Sequence, residues 1–128
     1  MAVVQTEDLR YFEKMIYLPM VLAVLALDRE AFEKGPFKLK RPYVQLVDRT
    51  IQRVHAELRE TKIYLHKRQM RVLRGKRDDT FTEYIFYRAG SEEHRRYLNL
   101  RLRNRVEELI CVYFEEADKL GQSVKYFR

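Results

Sequence analysis

Apolar residues recur at steps of three and four over the first 31 residues of the chain, which is the spacing of one face of an α-helix. They are Leu9, Phe12, Ile16, Met20, Ala23, Leu27 and Ala31. From Leu18 to Leu27 the helix is apolar nearly all round, so we expect it to be covered on more than one side, as a central element or in a subunit interface. Pro19 predicts a break or kink near Leu18, because proline lacks the N–H that an inner helical turn requires.

A second helix is predicted after Gly35-Pro36, which ends the first, and Pro42 suits its opening turn. Its apolar positions alternate in steps of three and four, like a coiled-coil seam. They are Val44, Val47, Ile51, Val54, Leu58, Thr61 and Leu65. Two arrangements fit this seam. One is an antiparallel hairpin with the first helix, and the other is a parallel homodimer through residues 15–65.

The periodicity changes after Leu65. Residues 70–74 alternate in the manner of a strand, residues 75–79 are rich in turn formers, and residues 80–87 are dense in β-branched and aromatic side chains. The pattern predicts a β-hairpin with strands 70–76 and 80–88. A helix over 80–88 remains an alternative, because Phe81, Tyr84 and Ile85 also fit one helical face.

Beyond the break at Ala89-Gly90, Ser91 is predicted to start a short helix and Asn99 to cap a last long helix. The inner face of that last helix is formed by Leu102, Val106, Leu109, Tyr113 and Ala117. The fold class is therefore α+β and predominantly helical, with three longer helices, one β-hairpin and a short helix. Residues 1–120 are predicted to form a single domain, and residues 121–128 a flexible C-terminal tail.

Three strings resemble a small uncharacterised family of proteins from Bacillus-type bacteria, which is YhjD-like. They are Tyr17-Leu18-Pro19-Met20-Val21-Leu22, the segment from Phe32 to Lys40, and Phe81-Thr82-Glu83-Tyr84. The likeness runs over most of the chain. In the family pattern a proline follows the residue matching Asn99, whereas this chain has Leu100, which weakens the prediction of a helix start there. The resemblance implies a bacterial cytosolic setting and no particular activity.

Composition adds limits on location and chemistry. Cys111 is the only cysteine, so no intramolecular disulfide can form, which suits the cytosol. Its apolar neighbours predict a small buried side chain rather than a nucleophile. The apolar run from Met15 to Leu27 has 13 residues, fewer than the roughly 20 that span a bilayer, and no positively charged segment precedes it. We therefore expect a cytoplasmic protein that does not enter a membrane.

The net charge of +7 is concentrated in one segment of the chain. Residues 66–105 hold 12 basic and five acidic residues, an excess of seven, whereas the remaining 88 residues hold 14 of each. Charge segregated in this way produces a field that selects anionic partners. The predicted anion-binding residues are Arg71, Arg74, Lys76, Arg77, Arg95, Arg96, Arg101, Arg103 and Arg105.

The start of the last helix is the most specific part of this signal. Arg101, Arg103 and Arg105 occupy its first turns, where the helix dipole disfavours cations at a cost of about 0.3–1 kcal/mol each. A phosphate bound there would meet both guanidinium groups and free backbone N–H groups. Aromatic side chains among the basic residues add rings on which unpaired bases can stack. The predicted stacking residues are Tyr84, Tyr87 and Tyr97.

No catalytic, metal or cofactor signature accompanies these residues. The chain has no Gly-rich phosphate loop or nucleophile elbow, and His55, His66 and His94 lack the spacing of metal ligands. We therefore expect a non-enzymatic regulatory or scaffolding protein that binds nucleic acid or another polyanion through residues 67–105. The alternative is an adaptor that self-associates through its first two helices and binds an acidic protein.

Overall fold

The computed structural model describes the backbone of residues 6–122 and the side chains of residues 6–117. Its elements are, in order, α1 (Thr6–Lys34), α2 (Arg41–Lys67), β1 (Met70–Arg77), β2 (Phe81–Arg88), β3 (Ser91–Leu98) and α3 (Asn99–Gln122). The α+β, mainly helical class is confirmed. Helix α3 extends to Gln122, and the rest of the predicted tail lies outside the described residues.

Helices α1 and α2 form an antiparallel hairpin. The seam of α2 is turned toward α1, and Val47, Val54 and Leu65 are buried in it. Near the start of α1 the ring of Tyr11 stacks on Tyr64 at 3.6 Å, whereas near its end Arg29 pairs with Asp48 at 2.5 Å. The hairpin interpretation is confirmed. Because α1 already covers these seam residues, they are not free to form the parallel homodimer seam.

Helix α1 runs through Pro19 without interruption, so the predicted break is wrong. Pro19 lies on the exposed side of the helix, where water can hydrogen-bond the carbonyl that the missing N–H leaves free. We expected residues 18–27 to be packed against other elements on more than one side, and this packing is also incomplete. Leu18, Val21 and Leu25 are buried, but Val24 is 37% exposed and Leu27 is 70% exposed.

The three strands form an antiparallel sheet in the order β1-β2-β3. The predicted hairpin is confirmed, with its second strand paired over residues 81–88, and the helical alternative for that segment is wrong. The predicted short helix is wrong too, because residues 91–98 form β3. Ala89 and Gly90 have φ of 43° and 86°, the positive values of a two-residue type I′ hairpin turn. This turn reverses the chain so that β3 pairs directly with β2.

The core lies between the sheet and the three helices. Phe12 of α1 stacks on Phe86 of β2 at 4.5 Å, and both side chains are at most 1% exposed. Helix α3 closes the core with Leu102, Val106 and Tyr113, as its predicted inner face requires. Cys111 is exposed, so the prediction that it is buried is wrong. It lines an open cleft at the margin of the core.

Candidate anion-binding surfaces

Asn99 fixes the start of α3 against the β1–β2 turn. Its Nδ2 donates to the carbonyl of Asp78 at 2.8 Å, and its Oδ1 accepts from the Thr82 hydroxyl at 2.6 Å. Its backbone N–H donates to the carbonyl of Thr80 at 2.8 Å. The helix begins at Asn99 as predicted, with Leu100 in the place of proline, but the side chain bonds the turn and β2 instead of capping α3. The arginines of the first turns of α3 are thereby held at a fixed position relative to the sheet.

Asp78 stabilises the turn itself. Its Oδ1 accepts hydrogen bonds from the backbone N–H of Phe81 at 2.7 Å and of Thr80 at 2.8 Å. These two bonds, with that of Phe81 the stronger cause, hold the pKa of the Asp78 carboxyl below its usual range. An ionised Asp78 therefore supports the junction on which both surfaces described below depend.

The structure divides the predicted anion-binding residues between separate surfaces. One surface gathers Arg96, Arg101 and Arg105. Another gathers Arg74, Arg77 and Arg103. The other three predicted residues, Arg71, Lys76 and Arg95, lie outside both. A single basic face extending over residues 67–105 is therefore not formed.

The first surface, which we name the β3–α3 groove, is a depression of about 830 Å³ between the end of β3, the first turns of α3 and α1. Its lining residues are Glu13, Tyr17, Phe81, Arg96, Tyr97, Leu98, Leu100, Arg101, Asn104, Arg105 and Glu108. It thus combines three arginines with three aromatic rings. Two carboxylates oppose them.

Contacts within the β3–α3 groove leave part of its positive charge free. The Arg105 guanidinium pairs with Glu108 at 3.2 Å, an exposed contact of the kind that contributes only about 0–1 kcal/mol. The Arg96 guanidinium lies over the ring of Phe81 at 4.0 Å. Among the residues whose side chains are described, neither Arg96 nor Arg101 forms an ion pair. The groove therefore presents two guanidinium groups that form no direct ion pair.

The wall of the groove toward α1 is closed by a hydrogen bond across the fold. The Tyr97 hydroxyl donates to Glu13 Oε2 at 2.9 Å. Burial, followed by the neighbouring Glu13 carboxylate, raises the pKa of Tyr97. Since Glu13 is engaged by this hydroxyl, it is oriented by the protein and does not reach out to the guanidinium groups as an ion-pair partner.

The second surface, which we name the α1–α3 cleft, has a volume of about 590 Å³ and lies between α1, α3 and the helix-facing side of the sheet. Its apolar lining residues are Met20, Val24, Tyr84, Leu102, Val106, Ile110, Cys111 and Phe114. Its polar lining residues are Asp28, Arg74, Arg77, Thr82, Asn99, Arg103 and Glu107. The cleft is thus apolar along much of its length and carries three arginines.

The remaining predicted cations lie elsewhere on the sheet. Arg71 lies over the ring of Tyr87 at 4.6 Å, on the solvent-facing side of the sheet. Lys76 lies at the irregularity of β1, where its backbone N–H approaches Glu83. Arg95 faces the helices and forms an ion pair with Glu93. These three therefore do not extend either surface.

The predicted stacking residues fare differently from one another. Tyr84 is only 6% exposed and packs edge-to-face with Tyr97, so its ring is not accessible to a base and the stacking prediction for it is wrong. Tyr97 lines the β3–α3 groove with part of its ring. Tyr87 lies on the solvent-facing side, under Arg71 and away from the groove. Phe81, an aromatic residue of the same basic segment, is the ring that accompanies an arginine in the groove.

The solvent-facing side of the sheet carries a charged cluster that the sequence did not reveal. His94 lies between Glu83, at 3.0 Å from Nδ1, and Glu92, at 3.2 Å from Nε2. The hydrogen bond to Glu83, followed by that to Glu92, raises the pKa of His94. The pKa of Glu83 is lowered, chiefly by His94. Because the sequence predicts a helix after Gly90, nothing in it places His94 within reach of Glu83.

Two other kinds of feature are not found in the described parts of the chain. Within residues 6–122, no helix is long and apolar enough to cross a membrane. Over the same described residues, no three histidine, cysteine, aspartate or glutamate side chains converge as metal ligands would.

The fold defines a small α+β protein in which a helical hairpin and a third helix pack on one side of a three-stranded meander. The family model described as YhjD protein matches residues 3–118. An uncharacterised protein of Bacillus subtilis strain 168, YhjD, is 34% identical over 116 residues, covering 91% of this chain and 97% of that protein. The chain belongs to the YhjD family, and the resemblance inferred from its sequence strings is confirmed. No solved structure matches the chain.

Proposed function

We propose that this protein is non-enzymatic and binds nucleic acid, as a flexible polyanion, through the β3–α3 groove. The observation that carries the proposal is the convergence of Arg96 from β3 with Arg101 and Arg105 from α3 on one open groove. Arg101 and Arg105 are four residues apart, so they lie about one helical turn from each other on the same side of α3. Two guanidinium groups in such a row suit neighbouring phosphates of one strand.

The position of these arginines on α3 supports the proposal. The first turn of α3 contains no acidic residue. The partial positive charge and free N–H groups of a helix start therefore add to the arginines instead of being neutralised. The unfavourable placement of cations at this end would be relieved by a bound phosphate. The helix dipole and the side chains thus favour the same kind of ligand.

The apolar components of the groove favour a single strand over a duplex. Phe81 lies under Arg96, and Leu98 and Leu100 are 43% and 66% exposed. Unpaired bases present flat apolar faces that stack on such side chains, whereas the bases of a duplex are covered by their neighbours. The proposal therefore assigns the arginines to phosphates and the exposed apolar side chains to bases.

Salt titration tests the proposal. Fluorescence anisotropy with single-stranded DNA and RNA 12-mers should give a logarithmic salt slope of about −2, since each phosphate contact on a single strand contributes about −0.7. The triple variant Arg96→Gln/Arg101→Gln/Arg105→Gln should lose most of this binding and its salt slope. A charge-matched control, Arg41→Gln/Arg49→Gln/Arg59→Gln, removes three exposed charges from α2 and should retain both.

Two results would contradict the proposal. One is the absence of binding to either oligonucleotide at low salt. The other is an equal loss of binding in the groove variant and the α2 control, which would indicate attraction by net charge alone. Circular dichroism of both variants establishes that they remain folded.

A second candidate function, an adaptor that self-associates, is favoured by one specific observation. Leu27 and Val24 lie about one turn apart on α1 and are 70% and 37% exposed. The sequence is apolar on nearly every side of the helix here, so we expected other parts of the protein or a second subunit to bury these side chains. We propose this strip of α1, and not the α2 seam, as the contact in that case. Sedimentation should then show a dimer that Leu27→Lys dissociates, whereas a wild-type monomer at high protein concentration would exclude it.

A further inference from the structure

The α1–α3 cleft has a buried apolar floor and an apolar wall that is partly exposed to solvent. Leu102 and Val106 form its base and are 5% and 6% exposed, whereas Val24 on its α1 wall is 37% exposed. Its volume of about 590 Å³ lies within the range of roughly 300–1,000 Å³ that is typical of small-molecule sites. Exposed apolar surface of this kind is unfavourable in water and is stabilised when an apolar ligand covers it.

Positive charge is added to this apolar cleft from two different elements. Arg74 and Arg77 project from β1 and Arg103 from the first turns of α3. Among the described side chains, none of these three guanidinium groups forms an ion pair. Two carboxylates, Asp28 and Glu107, also line the cleft, so arginines exceed acids by one. The lining therefore keeps a net positive charge, which suits an anionic ligand.

Along α3, the arginine of the cleft lies near the helix start, and the apolar lining extends beyond it, past Glu107. Arg103 lies in its second turn, whereas Ile110 and Phe114 lie two and three turns further on. At 1.5 Å per residue, Phe114 is about 16 Å from Arg103 along the helix axis. A ligand that meets both regions must carry its charge at one end and an extended apolar chain behind it.

We propose that the α1–α3 cleft binds a single-chain amphiphile with an anionic head group, such as a free fatty acid. Arg74, Arg77 and Arg103 hold the head group, and the chain lies along Val24, Val106 and Ile110. Arginine suits this task because its planar guanidinium donates two parallel hydrogen bonds to one carboxylate or phosphate. This site is separate from the β3–α3 groove and goes beyond the function proposed for that groove.

Cys111 provides a direct readout of occupancy. It is exposed, lines the cleft and is the only cysteine of the chain. A thiol reagent will therefore report access to the cleft in the native protein. We expect tetradecanoate, used below its micelle concentration, to slow the labelling of Cys111 about tenfold. Acetate and inorganic phosphate at the same concentration should not slow it, because they lack the chain.

Variants separate the two parts of the site. Arg74→Gln/Arg103→Gln should weaken tetradecanoate binding about 10-fold to 100-fold in calorimetry, the range expected when charged hydrogen bonds are removed. Its matched control, Arg101→Gln/Arg105→Gln, removes the same charge from the β3–α3 groove and should bind tetradecanoate like the wild type. Because different arginines carry the two proposals, failure of one is distinguishable from failure of the other.

A second pair of variants tests the apolar part. Val24→Trp places the sole tryptophan of the chain in the cleft and should abolish binding by filling it. Ile63→Trp adds the same side chain at a 49% exposed position of α2 outside the cleft and should bind normally. Tryptophan emission and thermal melting show whether each variant is folded.

Three outcomes would overturn the proposal. Tetradecyltrimethylammonium binding as tightly as tetradecanoate would show that the arginines do not select the head group. Equal losses in the cleft variants and their controls would place the ligand elsewhere. Association with vesicles of anionic phospholipid, without binding of monomeric tetradecanoate, would show attraction to a membrane surface instead of occupation of the cleft.

Discussion

The rings of Phe12 and Phe86 lie face to face, with centroids 4.5 Å apart and planes within 2° of parallel. Phe12 comes from α1 and Phe86 from the middle strand, so this contact joins the helical hairpin to the sheet. The two side chains are 0% and 1% exposed. Two layers of the fold are therefore connected here through large side chains that water does not reach.

We expect Phe86→Ala to reduce the free energy of unfolding by about 3–5 kcal/mol, the usual cost of emptying a buried aromatic site. Urea denaturation followed by circular dichroism measures it. The control is Leu39→Ala at a 74% exposed site, which should change stability by about 0.5 kcal/mol or less. Similar losses for the two variants would contradict the position given to Phe86.

Thr82 is expected to be more important than its small size suggests. It is 3% exposed and its hydroxyl donates to Asn99 Oδ1 at 2.6 Å. Thr82→Val keeps the shape but leaves that acceptor without its donor, which should cost about 1–3 kcal/mol. The same change at the exposed Thr80 should be nearly neutral. If Thr82→Val were also neutral in chemical denaturation, Asn99 would not be the link between the sheet and α3.

The turn between β2 and β3 offers a stabilising substitution. Ala89 has φ of 43°, a left-handed conformation that alanine adopts at a cost of about 1–2 kcal/mol. Asparagine tolerates this region, and Asn-Gly is the preferred pair of a type I′ turn. Ala89→Asn should therefore raise the melting temperature, whereas Ala89→Val should lower it. The opposite order would be incompatible with the turn and with the strand assignment of residues 91–98.

The cluster of His94 and Glu83 makes part of the stability depend on pH. Folding raises the pKa of His94 above 6.5, so its contribution is complete below that value and is lost as pH rises through the folded-state pKa. Folding lowers the pKa of Glu83 below 4.5, so its contribution is complete above that value and is lost as pH falls through the lowered pKa. Both contributions are therefore present between about pH 4.5 and 6.5.

Proton NMR titration of the His94 ring should give a pKa above that of a histidine in an unfolded peptide. Replacement of its main partner, Glu83→Gln, should bring that pKa down. In urea denaturation, the His94→Gln protein should lose less stability than the wild type when the pH rises from about 6 to about 8.5, because its residue 94 no longer titrates. A His94 pKa that is unaffected by Glu83→Gln would contradict the contact between the His94 ring and the Glu83 carboxylate.

Short-range sequence patterns were sufficient to predict the three helices and the first β-hairpin. The three-and-four spacing of apolar residues predicted α1, α2 and the inner face of α3, because one face of each must be buried. The density of β-branched and aromatic residues predicted the β1–β2 hairpin. Segment 91–98 has no such signal, since its glutamates and arginines are compatible with a helix. It became a strand because a tight turn at Ala89 and Gly90 lays it against β2, a pairing that local propensity does not encode.

The excess of positive charge in residues 66–105 was likewise plain from the sequence, but only the tertiary structure decided where each charge lies. Arg95 and Arg96 are neighbours in the chain, yet successive residues of a strand point to opposite faces of the sheet. Arg101 and Arg105 share one side of α3, whereas Arg103, two residues from each, lies on the other side. These two periods divide one basic segment between the β3–α3 groove and the α1–α3 cleft. The net charge of a segment can be counted from its sequence. A binding surface also depends on the direction in which each side chain points, and only the packing of helices and strands determines that.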